Sequence, residues 1–150
     1  MTTIETICER DVICAGRDTT VQAAAKLMRH YHVGCLVIVD ENRGRRLPVG
    51  IVTDRDLVVE VSALDLDPNV ITIGDIGMPE LVTVREGEGL LETVEIMRCK
   101  GVRRLPVVNE HGELTGIVSI DDLLETMTGQ MSAMARILGR ERQHEVQTRR

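Results

Sequence analysis

Apolar residues recur at the three- and four-residue spacing typical of a helix in two separate segments of the chain. These positions are Val21, Ala24, Ala25 and Met28 in the first half and Leu90, Val94 and Met97 in the second half. Such spacing places the apolar side chains on one face of a helix that packs against a core. Thr19 and Gln22 have the pattern of a capping box, so the first helix is predicted to begin beside Thr19.

Short, continuous apolar runs follow each of these helices and are typical of strands buried on both faces. The predicted strands are 35–39 and 49–52 in the first half and 105–108 and 114–118 in the second half. The second strand of each half leads directly into a polar start and a further helix, at 54–64 and at 121–127. The pattern therefore predicts the same small α/β unit in both halves.

An internal repeat supports this prediction. Residues 50–57, with the sequence GIVTDRDL, align with residues 116–123, with the sequence GIVSIDDL, and five of the eight positions are identical. Upstream of these segments, residues 21–39 align with residues 90–108. The offset between the halves differs by three residues between the two alignments, so we expect a longer hairpin loop in the first half, at residues 41–46. The chain contains one unit twice.

The repeat also divides the chain into parts. We predict repeat 1 at residues 7–64, repeat 2 at residues 73–128, and a polar C-terminal tail at residues 129–150 that is helical and partly frayed. A half of about 60 residues buries too little surface to be stable alone. The predicted fold class is therefore α/β (α+β), with a tandem pair of β-α-β-β-α repeats packed around a pseudo-twofold axis.

The second helix of each repeat begins with a hydroxyl residue that is followed three positions later by an aspartate. These pairs are Thr53 with Asp56 and Ser119 with Asp122. Backbone N–H groups at a helix start bind phosphate readily, and the hydroxyl can join them. The aspartate offers two acceptor oxygens for the vicinal hydroxyls of a ribose. The same spacing is found in helix caps, so a ribosyl-phosphate site and a purely structural cap are both open.

The block Gly-Ile-Val-(Thr/Ser)-x-x-Asp, present twice, resembles the cystathionine-β-synthase (CBS) domain family, whose tandem pair is called a Bateman module. The resemblance covers residues 7–127. It implies that Thr53 and Ser119 contact phosphate, while Asp56 and Asp122 hold ribose hydroxyls. It also implies an apolar cleft for adenine, formed by Gly50, Ile51, Gly116 and Ile117 with backbone contacts from Ile13 and Val82. The implied ligand is adenosine-containing: AMP, ADP, ATP, S-adenosylmethionine or NAD.

The two candidate sites differ in their charged neighbours. Repeat 1 has Arg55, a cation that can reach a phosphate, where repeat 2 has Asp121, which repels one. Arg103 and Arg104 directly precede the strand predicted at 105–108 in repeat 2, and repeat 1 has no basic residue at the aligned positions. We expect these two arginines to help bind a polyphosphate across the cleft; a solvated surface pair is the alternative.

Composition narrows the classes of partner. The formal net charge of −6 argues against a nucleic-acid binder. The chain has no Phe or Trp and one Tyr, so the core must be aliphatic and base stacking on aromatic side chains is nearly excluded. Residues 136–150 carry five Arg and two Glu, which we interpret as a solvated helix end rather than a docking tail.

The chain is expected to be cytoplasmic and not inserted in a membrane. No apolar run approaches the ~20 residues needed to cross a bilayer. The N-terminus lacks the basic and then apolar pattern of a signal peptide. The cysteines are therefore expected to be reduced, at Cys8, Cys14, Cys35 and Cys99.

Metal binding and catalysis have weak support. His30, His32 and Cys35, with Cys8 and Cys14, could be combined into a zinc or redox site, but no tight Cys-x-x-Cys pair occurs. The sequence also lacks a nucleophile elbow and a Walker loop. We predict no metal, no catalytic residue and no enzyme activity, with a metal- or redox-responsive CBS protein as an alternative.

The functional prediction is a regulatory module that senses an adenosyl ligand and signals to a protein partner that the sequence does not identify. The rival hypothesis is a constitutive dimerisation or interaction module without nucleotide. A homodimer through the helices is expected, because a two-sheet, four-helix module should leave part of the apolar faces at Val21, Ala24 and Met28 and their equivalents uncovered.

Overall fold

Two three-stranded sheets of matching topology form the framework of the protein. The computed structural model describes residues 2–76, 78 and 80–149. The strands are β1 Cys14–Ala15, β2 Cys35–Asn42 and β3 Arg45–Thr53 in the first sheet, and β4 Val84–Arg85, β5 Arg104–Val108 and β6 Leu114–Ser119 in the second. The helices are α1 Ile4–Ile7, α2 Val21–Tyr31, α3 Asp54–Leu57, α4 Leu90–Lys100 and α5 Ile120–Thr148, and a π-helical turn, Val58–Ser62, directly follows α3.

The strands of the two sheets pair in the same way. In each sheet the first strand is parallel to the second, which is antiparallel to the third. A helix, α2 or α4, makes the crossover that a parallel pair requires. The registers also correspond, since Ile38 lies opposite Gly50 and Val107 lies opposite Gly116. The predicted tandem of β-α-β-β-α repeats is confirmed.

The hairpin of the first sheet differs from the prediction. Residues 41–46 do not form a long loop, because β2 continues to Asn42 and β3 begins at Arg45. Only Arg43 and Gly44 make the turn, with φ angles of 53° and 79°. Two consecutive residues with positive φ are typical of the tight turn whose twist matches a hairpin. The extra residues of repeat 1 therefore lengthen the strands and not the loop.

The predicted start of α2 is also displaced by one residue. Thr20, and not Thr19, is the cap, and its Oγ1 accepts a hydrogen bond from the N–H of Ala23 at 3.1 Å. Thr19 is instead tied to the linker, since its carbonyl accepts from the N–H of Ile73 at 2.9 Å. The capping box of Thr19 with Gln22 is therefore wrong, because the linker holds Thr19 outside the helix.

The segment that precedes each repeat in the sequence packs on the other repeat. Ile4 of α1 is fully buried in the core of the second repeat. Glu9 exchanges two backbone hydrogen bonds of 2.9 Å with Ile117 of β6. Ile73 is fully buried in the core of the first repeat. Each packed core thus contains residues from outside its own predicted limits, which were 7–64 for repeat 1 and 73–128 for repeat 2.

Both cores are aliphatic, and the helices contribute the faces with periodic apolar residues. Val21, Ala24 and Met28 of α2 are buried against the first sheet, and Leu90 and Met97 of α4 are buried against the second. The expectation that these faces stay partly uncovered is wrong, because each helix lies with that face on its own sheet. A homodimer would have to use another surface.

A third buried cluster joins the two sheets. It consists of Val37 and Val39 of β2 and Leu114 of β6, with Ile51 and Ile117 packed against them. The cluster contains side chains from both repeats, so the two sheets share a common apolar boundary.

Helix α5 is longer than its equivalent in repeat 1. The predicted helix at 121–127 and the predicted tail form one helix that begins at Ile120 and continues to Thr148. In repeat 1, by contrast, α3 and the π-helical turn end at Ser62.

Substituting Gly116 by alanine tests how the N-terminal segment packs on β6. A Cβ at this position would lie 2.7 Å from Cys8 Sγ and 2.9 Å from the carbonyl oxygen of Glu9. We expect Gly116→Ala to lower the free energy of unfolding by about 1–3 kcal/mol, because the backbone at Glu9 must shift. Urea denaturation measures this.

The matched control for that substitution is Gly16→Ala, where a Cβ would meet nothing within 4 Å. We expect this control to stay within about 0.5 kcal/mol of the unsubstituted protein. Equal stability of the two variants would contradict the close packing of residues 8 and 9 on β6.

Candidate functional site

The junction between β3 and α3 places the first candidate pair in direct contact. The backbone N–H of Thr53 donates to Asp56 Oδ2 at 2.9 Å, and the N–H of Asp56 donates to Thr53 Oγ1 at 3.1 Å. The two residues thus form a reciprocal capping box. The hydroxyl hydrogen of Thr53 donates to none of the described residues, so it is available to a ligand.

The second junction, between β6 and α5, repeats this geometry with one difference. The N–H of Ser119 donates to Asp122 Oδ2 at 2.8 Å, and the N–H of Asp122 donates to Ser119 Oγ at 3.3 Å. In addition, the Ser119 hydroxyl lies 3.0 Å from Asp122 Oδ2 and donates to it. The hydroxyl hydrogen of Ser119 is therefore engaged within the cap, unlike that of Thr53.

The aspartates form caps and still keep an acceptor. Both caps use Oδ2, while Oδ1 of Asp56 and Oδ1 of Asp122 accept no hydrogen bond from the described residues. A capping role and a ribose-binding role are therefore compatible for the same carboxylate. The structural cap that sequence analysis left open is present at both junctions.

The backbone N–H groups at the start of α3 already have acceptors. The N–H of Asp54 donates to the carbonyl of Gly34 at 2.9 Å, and the N–H of Arg55 donates to Asp54 Oδ1 at 2.8 Å. A phosphate at this junction would thus meet the Thr53 hydroxyl and basic side chains before it meets free N–H groups. The N–H groups of Asp54 and Arg55, which sequence analysis expected to bind phosphate, are thus engaged by acceptors outside the helical backbone ladder.

The glycines of the expected adenine cleft are covered by residues that sequence analysis missed. A Cβ at Gly50 would lie 3.2 Å from the side chain of Met78, and one at Gly116 would lie 2.7 Å from that of Cys8. Met78 lies at the start of repeat 2 in the sequence but covers repeat 1, and Cys8 lies at the start of repeat 1 but covers repeat 2. Each lies six residues before the first strand of a repeat. This equivalent position in the two repeats is the sequence feature from which the two covering residues could have been identified.

The two expected backbone contacts have different surroundings. The carbonyl of Ile13 accepts from the N–H of Val37 at 3.1 Å, so it already belongs to the first sheet. Val82 packs against the core of the second repeat. A cavity of about 700 Å³ is lined by Ile13 but by none of the other predicted site residues.

The three predicted arginines are exposed, with Arg55 in α3, Arg104 at the start of β5 and Arg103 directly before it. Arg55, Arg103 and Arg104 form no ion pair within the described residues. The carbonyl of Arg103 accepts from the N–H of Ile120 at 2.9 Å, which ties this residue to the start of α5.

The charge of Arg104 in repeat 2 affects the pKa of the Cys35 thiol in repeat 1. Burial raises the pKa of the Cys35 thiol, whereas the charge of Arg104 lowers this pKa and the charge of Asp54 raises it. The guanidinium of Arg104 and the carboxylate of Asp54 are therefore both near Cys35, at the start of β2. This arrangement brings a cation from one repeat toward the candidate site of the other.

Cys8 lies near the carboxylate of the second candidate site. Burial raises the pKa of the Cys8 thiol, Arg10 lowers it, and the charges of Glu86 and Asp122 add to the increase. Cys8 is thus held as a neutral thiol between Gly116 and Asp122. Its position makes it a wall of the second candidate cleft.

The described part of the chain contains neither a cluster of metal ligands nor a helix that could span a membrane. In residues 2–76, 78 and 80–149, no group of three or more His, Cys, Asp or Glu side chains is arranged to hold a metal ion. None of the helices in this part of the chain has both the length and the apolar character needed to cross a membrane.

The duplicated sheet and the paired junctions define a protein with two small α/β repeats, each with a hydroxyl and a carboxylate where its last strand becomes a helix. Residues 4–63 and 73–129 both match the CBS domain model. The chain belongs to the CBS domain family, and the resemblance drawn from the Gly-Ile-Val-(Thr/Ser)-x-x-Asp block is confirmed.

Two curated relatives show how far the similarity extends. An uncharacterized protein of Methanopyrus kandleri is 38% identical over 119 residues, which cover 79% of this chain and 59% of that protein. Hypoxic response protein 1 of Mycobacterium tuberculosis is 37% identical over 124 residues, which cover 82% of this chain and 83% of that protein. The chain thus spans less than two thirds of the first relative and most of the second.

Three solved structures share the fold. Hypoxic Response Protein I with two coordinated zinc ions is 35% identical, with a TM-score of 0.71 over 83% of this chain and 98% of that one. A CBS domain protein from Pyrobaculum aerophilum complexed with AMP is 26% identical, with a TM-score of 0.73 over 85% and 99%. A hexameric CBS-CP12 protein from bloom-forming cyanobacteria is 27% identical, with a TM-score of 0.72 over 83% and 70%.

The capping bonds predict a loss of stability when either carboxylate is removed. Asp56→Ala and Asp122→Ala should each lower the free energy of unfolding by about 0.5–2 kcal/mol, because the N–H of Thr53 or Ser119 loses its acceptor. Asp11→Ala is the control, since Asp11 is exposed and its carboxylate makes no hydrogen bond within the described residues. Urea denaturation that finds all three variants equal would contradict the capping role.

Proposed function

We propose that this protein is a regulatory module that binds an adenosine-containing ligand at the strand-to-helix junctions of its CBS repeats. The observation that carries the proposal is the free Oδ1 of an aspartate that its own cap already holds in place, present at Asp56 and again at Asp122. Such an oxygen is suited to accept hydrogen bonds from ribose hydroxyls. The AMP complex of the related Pyrobaculum protein supports this ligand class.

The ligand would contact each repeat through the residues that the sequence indicated. The Thr53 and Ser119 hydroxyls would meet phosphate, and the aspartates would hold the ribose. Adenine would lie against the apolar surface at the glycines and isoleucines of the third strands, namely Gly50, Ile51, Gly116 and Ile117, with Ile13 and Val82 beside them. Met78 and Cys8 cover the glycines and must move aside for the base, so we add both to the candidate site.

We propose that repeat 1 is the tighter site. The hydroxyl hydrogen of Thr53 donates to none of the described residues, whereas that of Ser119 is engaged with Asp122. Arg55 adds a cation where repeat 2 has Asp121. Arg104 approaches repeat 1 from the other half of the chain, and with Arg103 it would neutralise the phosphates of a polyphosphate.

The proposed role is regulatory and not catalytic. The ligand would be AMP, ADP, ATP, S-adenosylmethionine or NAD, and the response would pass to a protein partner or to a second copy of the chain. We place this sensor in the cytoplasm, a reducing compartment in which its four cysteines would stay the free thiols that the structure has.

A constitutive assembly module is the second candidate function. It is favoured by one observation, since the chain itself completes both caps and covers Gly50 and Gly116 with the side chains of Met78 and Cys8. The two functions differ in whether any adenosyl compound binds.

We also propose that the protein is a homodimer. Its apolar surface includes Val58 and Leu124, which occupy equivalent positions in the two repeats and are 60% and 54% exposed. Burial of these side chains against a second copy fits an interface of at least ~1,000 Å². Light scattering at micromolar concentration should give twice the chain mass of 16.7 kDa. The mass of a single chain would contradict this prediction.

Calorimetric titration with AMP, ATP, S-adenosylmethionine and NAD tests ligand binding. We expect at least one to bind, and we expect Asp56→Asn to weaken it about ten- to a hundredfold, because a charged acceptor for the ribose is lost. Asparagine keeps one oxygen for the N–H of Thr53, so the cap is retained. Asp122→Asn should have a smaller effect on affinity than Asp56→Asn.

Thr20→Ala is the matched control for this titration. It removes the cap of α2, which lies outside the candidate site, so it should reduce stability and leave affinity unchanged. Binding of none of the four ligands would favour the assembly function. Unchanged affinity in both asparagine variants would overturn the site assignment while leaving the fold intact.

A further inference from the structure

Helix α5 continues well beyond the repeat in which it begins. Leu123 is fully buried in the core of repeat 2, and Met127 packs against the same core. From residue 128 to residue 149 every residue of the chain is exposed. This stretch includes Met131, Met134 and Leu138, which are 69%, 66% and 68% exposed. Large apolar side chains therefore stay exposed on a part of the helix whose contacts with the rest of the protomer include a hydrogen bond of 3.4 Å from Gln130 Nε2 to Thr2 Oγ1.

These apolar residues continue a strict spacing along one face of the helix. The positions, which we call the α5 seam, are Leu124, Met127, Met131, Met134 and Leu138. Their alternating steps of three and four residues are the heptad spacing with which two helices pack against each other. A helix that packed only on its own repeat would need apolar residues no further than Met127. The seam extends about three more turns beyond this point, to Leu138, and is therefore suited to a second helix.

The exposed part of α5 has little stability of its own. Most helical stability in proteins comes from the packing of an apolar face, and residues 128–149 gain little of it because they are all exposed. Gly129 and Gly139 lower helix stability further, relative to alanine. A Cβ at either glycine would meet nothing within 4 Å, so packing within the protomer does not require them. Burial of the seam would supply the missing stabilisation.

The charges on α5 indicate which helix covers the seam and in which direction. The first turns carry the acidic residues Asp121, Asp122 and Glu125, whereas the later turns have an excess of basic residues, with five Arg against Glu141 and Glu145 in residues 136–150. Two parallel copies would place like charges side by side, which is unfavourable. Two antiparallel copies would place the acidic start of each helix beside the basic part of the other. The helix is thus complementary to an antiparallel copy of itself.

We propose that the α5 seam pairs antiparallel with the α5 seam of a second copy of this chain and so forms the homodimer interface. The inference rests on the homodimer proposed above and specifies its surface and orientation. A groove of about 320 Å³ lies beside the seam, between α5 and the start of α4, and is lined by Leu90, Leu91, Met127, Met131 and Met134 among others. This groove widens the apolar surface where the partner helix would lie.

One pair of charges defines the antiparallel arrangement. Asp121 lies three residues before Leu124, and Arg142 lies four residues after Leu138, so both flank the seam on the same side. In an antiparallel pair centred between Met131 and Met134, Asp121 of each copy lies beside Arg142 of the other. Within one helix the two residues are 21 positions apart, about 31 Å, and cannot meet.

The first experiment places a charge in the seam. Met131→Glu should weaken the dimer at least about tenfold, as measured by sedimentation at several concentrations, because the interface would bury an unpaired carboxylate. Ser132→Glu adds the same charge to the neighbouring exposed position outside the seam and should leave the dissociation constant unchanged. Equal dissociation constants for the two variants would show that the dimer uses another surface and would overturn the proposal.

The same preparations separate this proposal from the others. A monomeric unsubstituted protein would overturn the homodimer and the seam together. Titration of Met131→Glu with the adenosyl ligands reports on the nucleotide site independently, since Met131 lies outside the candidate residues. A variant that dissociates yet still binds ligand would support both proposals separately.

The second experiment tests orientation by exchanging charges. Asp121→Arg and Arg142→Asp should each weaken the dimer several-fold, and the double variant should recover most of the loss, because the opposite charges then face each other again. Since the two positions are about 31 Å apart in one helix, recovery requires two copies in antiparallel orientation. Additive losses in the double variant would overturn the antiparallel arrangement.

Discussion

Each half of this chain completes its core with an apolar residue from the segment that precedes the other half. Ile4 is fully buried in repeat 2 and Ile73 is fully buried in repeat 1. Burying one such side chain contributes about 1.5–3 kcal/mol, a large part of the 5–15 kcal/mol that stabilises a typical domain. The repeats are therefore one folding unit, and their relative position is fixed by the crossing segments. The crossing segments also fix the position of Cys8 and Met78 at the candidate sites, because these two residues lie on the same segments as Ile4 and Ile73.

The capping boxes explain how a ligand site can exist before the ligand arrives. Asp56 and Asp122 are held by backbone N–H groups at their Oδ2 atoms, so little side-chain freedom would be lost when Oδ1 accepts a ribose hydroxyl. The adenine ring of the proposed ligand would find its surface occupied, because the side chains of Met78 and Cys8 lie against Gly50 and Gly116. Ligand entry would thus displace a segment that also carries core residues. This physical link connects occupancy of a cleft with the packing between repeats.

Sequence periodicity was sufficient for the repeat order, for strands β2, β3, β5 and β6 and for the buried helix faces, because each depends on local spacing and burial. The aspartate pairs were also found, since both copies follow the same Gly-Ile-Val strand. Three features could not be derived in this way. The cap of α2 moved to Thr20 because the linker binds Thr19, the hairpin loop became a two-residue turn at Arg43 and Gly44, and the exchange of segments between repeats depends on long-range packing that no local pattern encodes.

Helix α5 joins the proposed ligand site and the proposed dimer surface in one continuous helix. Ser119 and Asp122 cap its first turn, and the seam begins at Leu124, within the same two turns. A ligand that shifts the start of this helix would tilt the seam, because a continuous helix moves as a unit. Linkage then requires the reverse effect: if ligand binding at repeat 2 changes the dimer dissociation constant by some factor, dimerisation changes ligand affinity by the same factor. Repeat 1 has no such extension, since its second helix ends by Ser62. We therefore propose different tasks for the two repeats. The Thr53 hydroxyl, which donates to none of the described residues, and the added cations would favour tight binding at repeat 1, whereas the long helix would favour transmission from repeat 2.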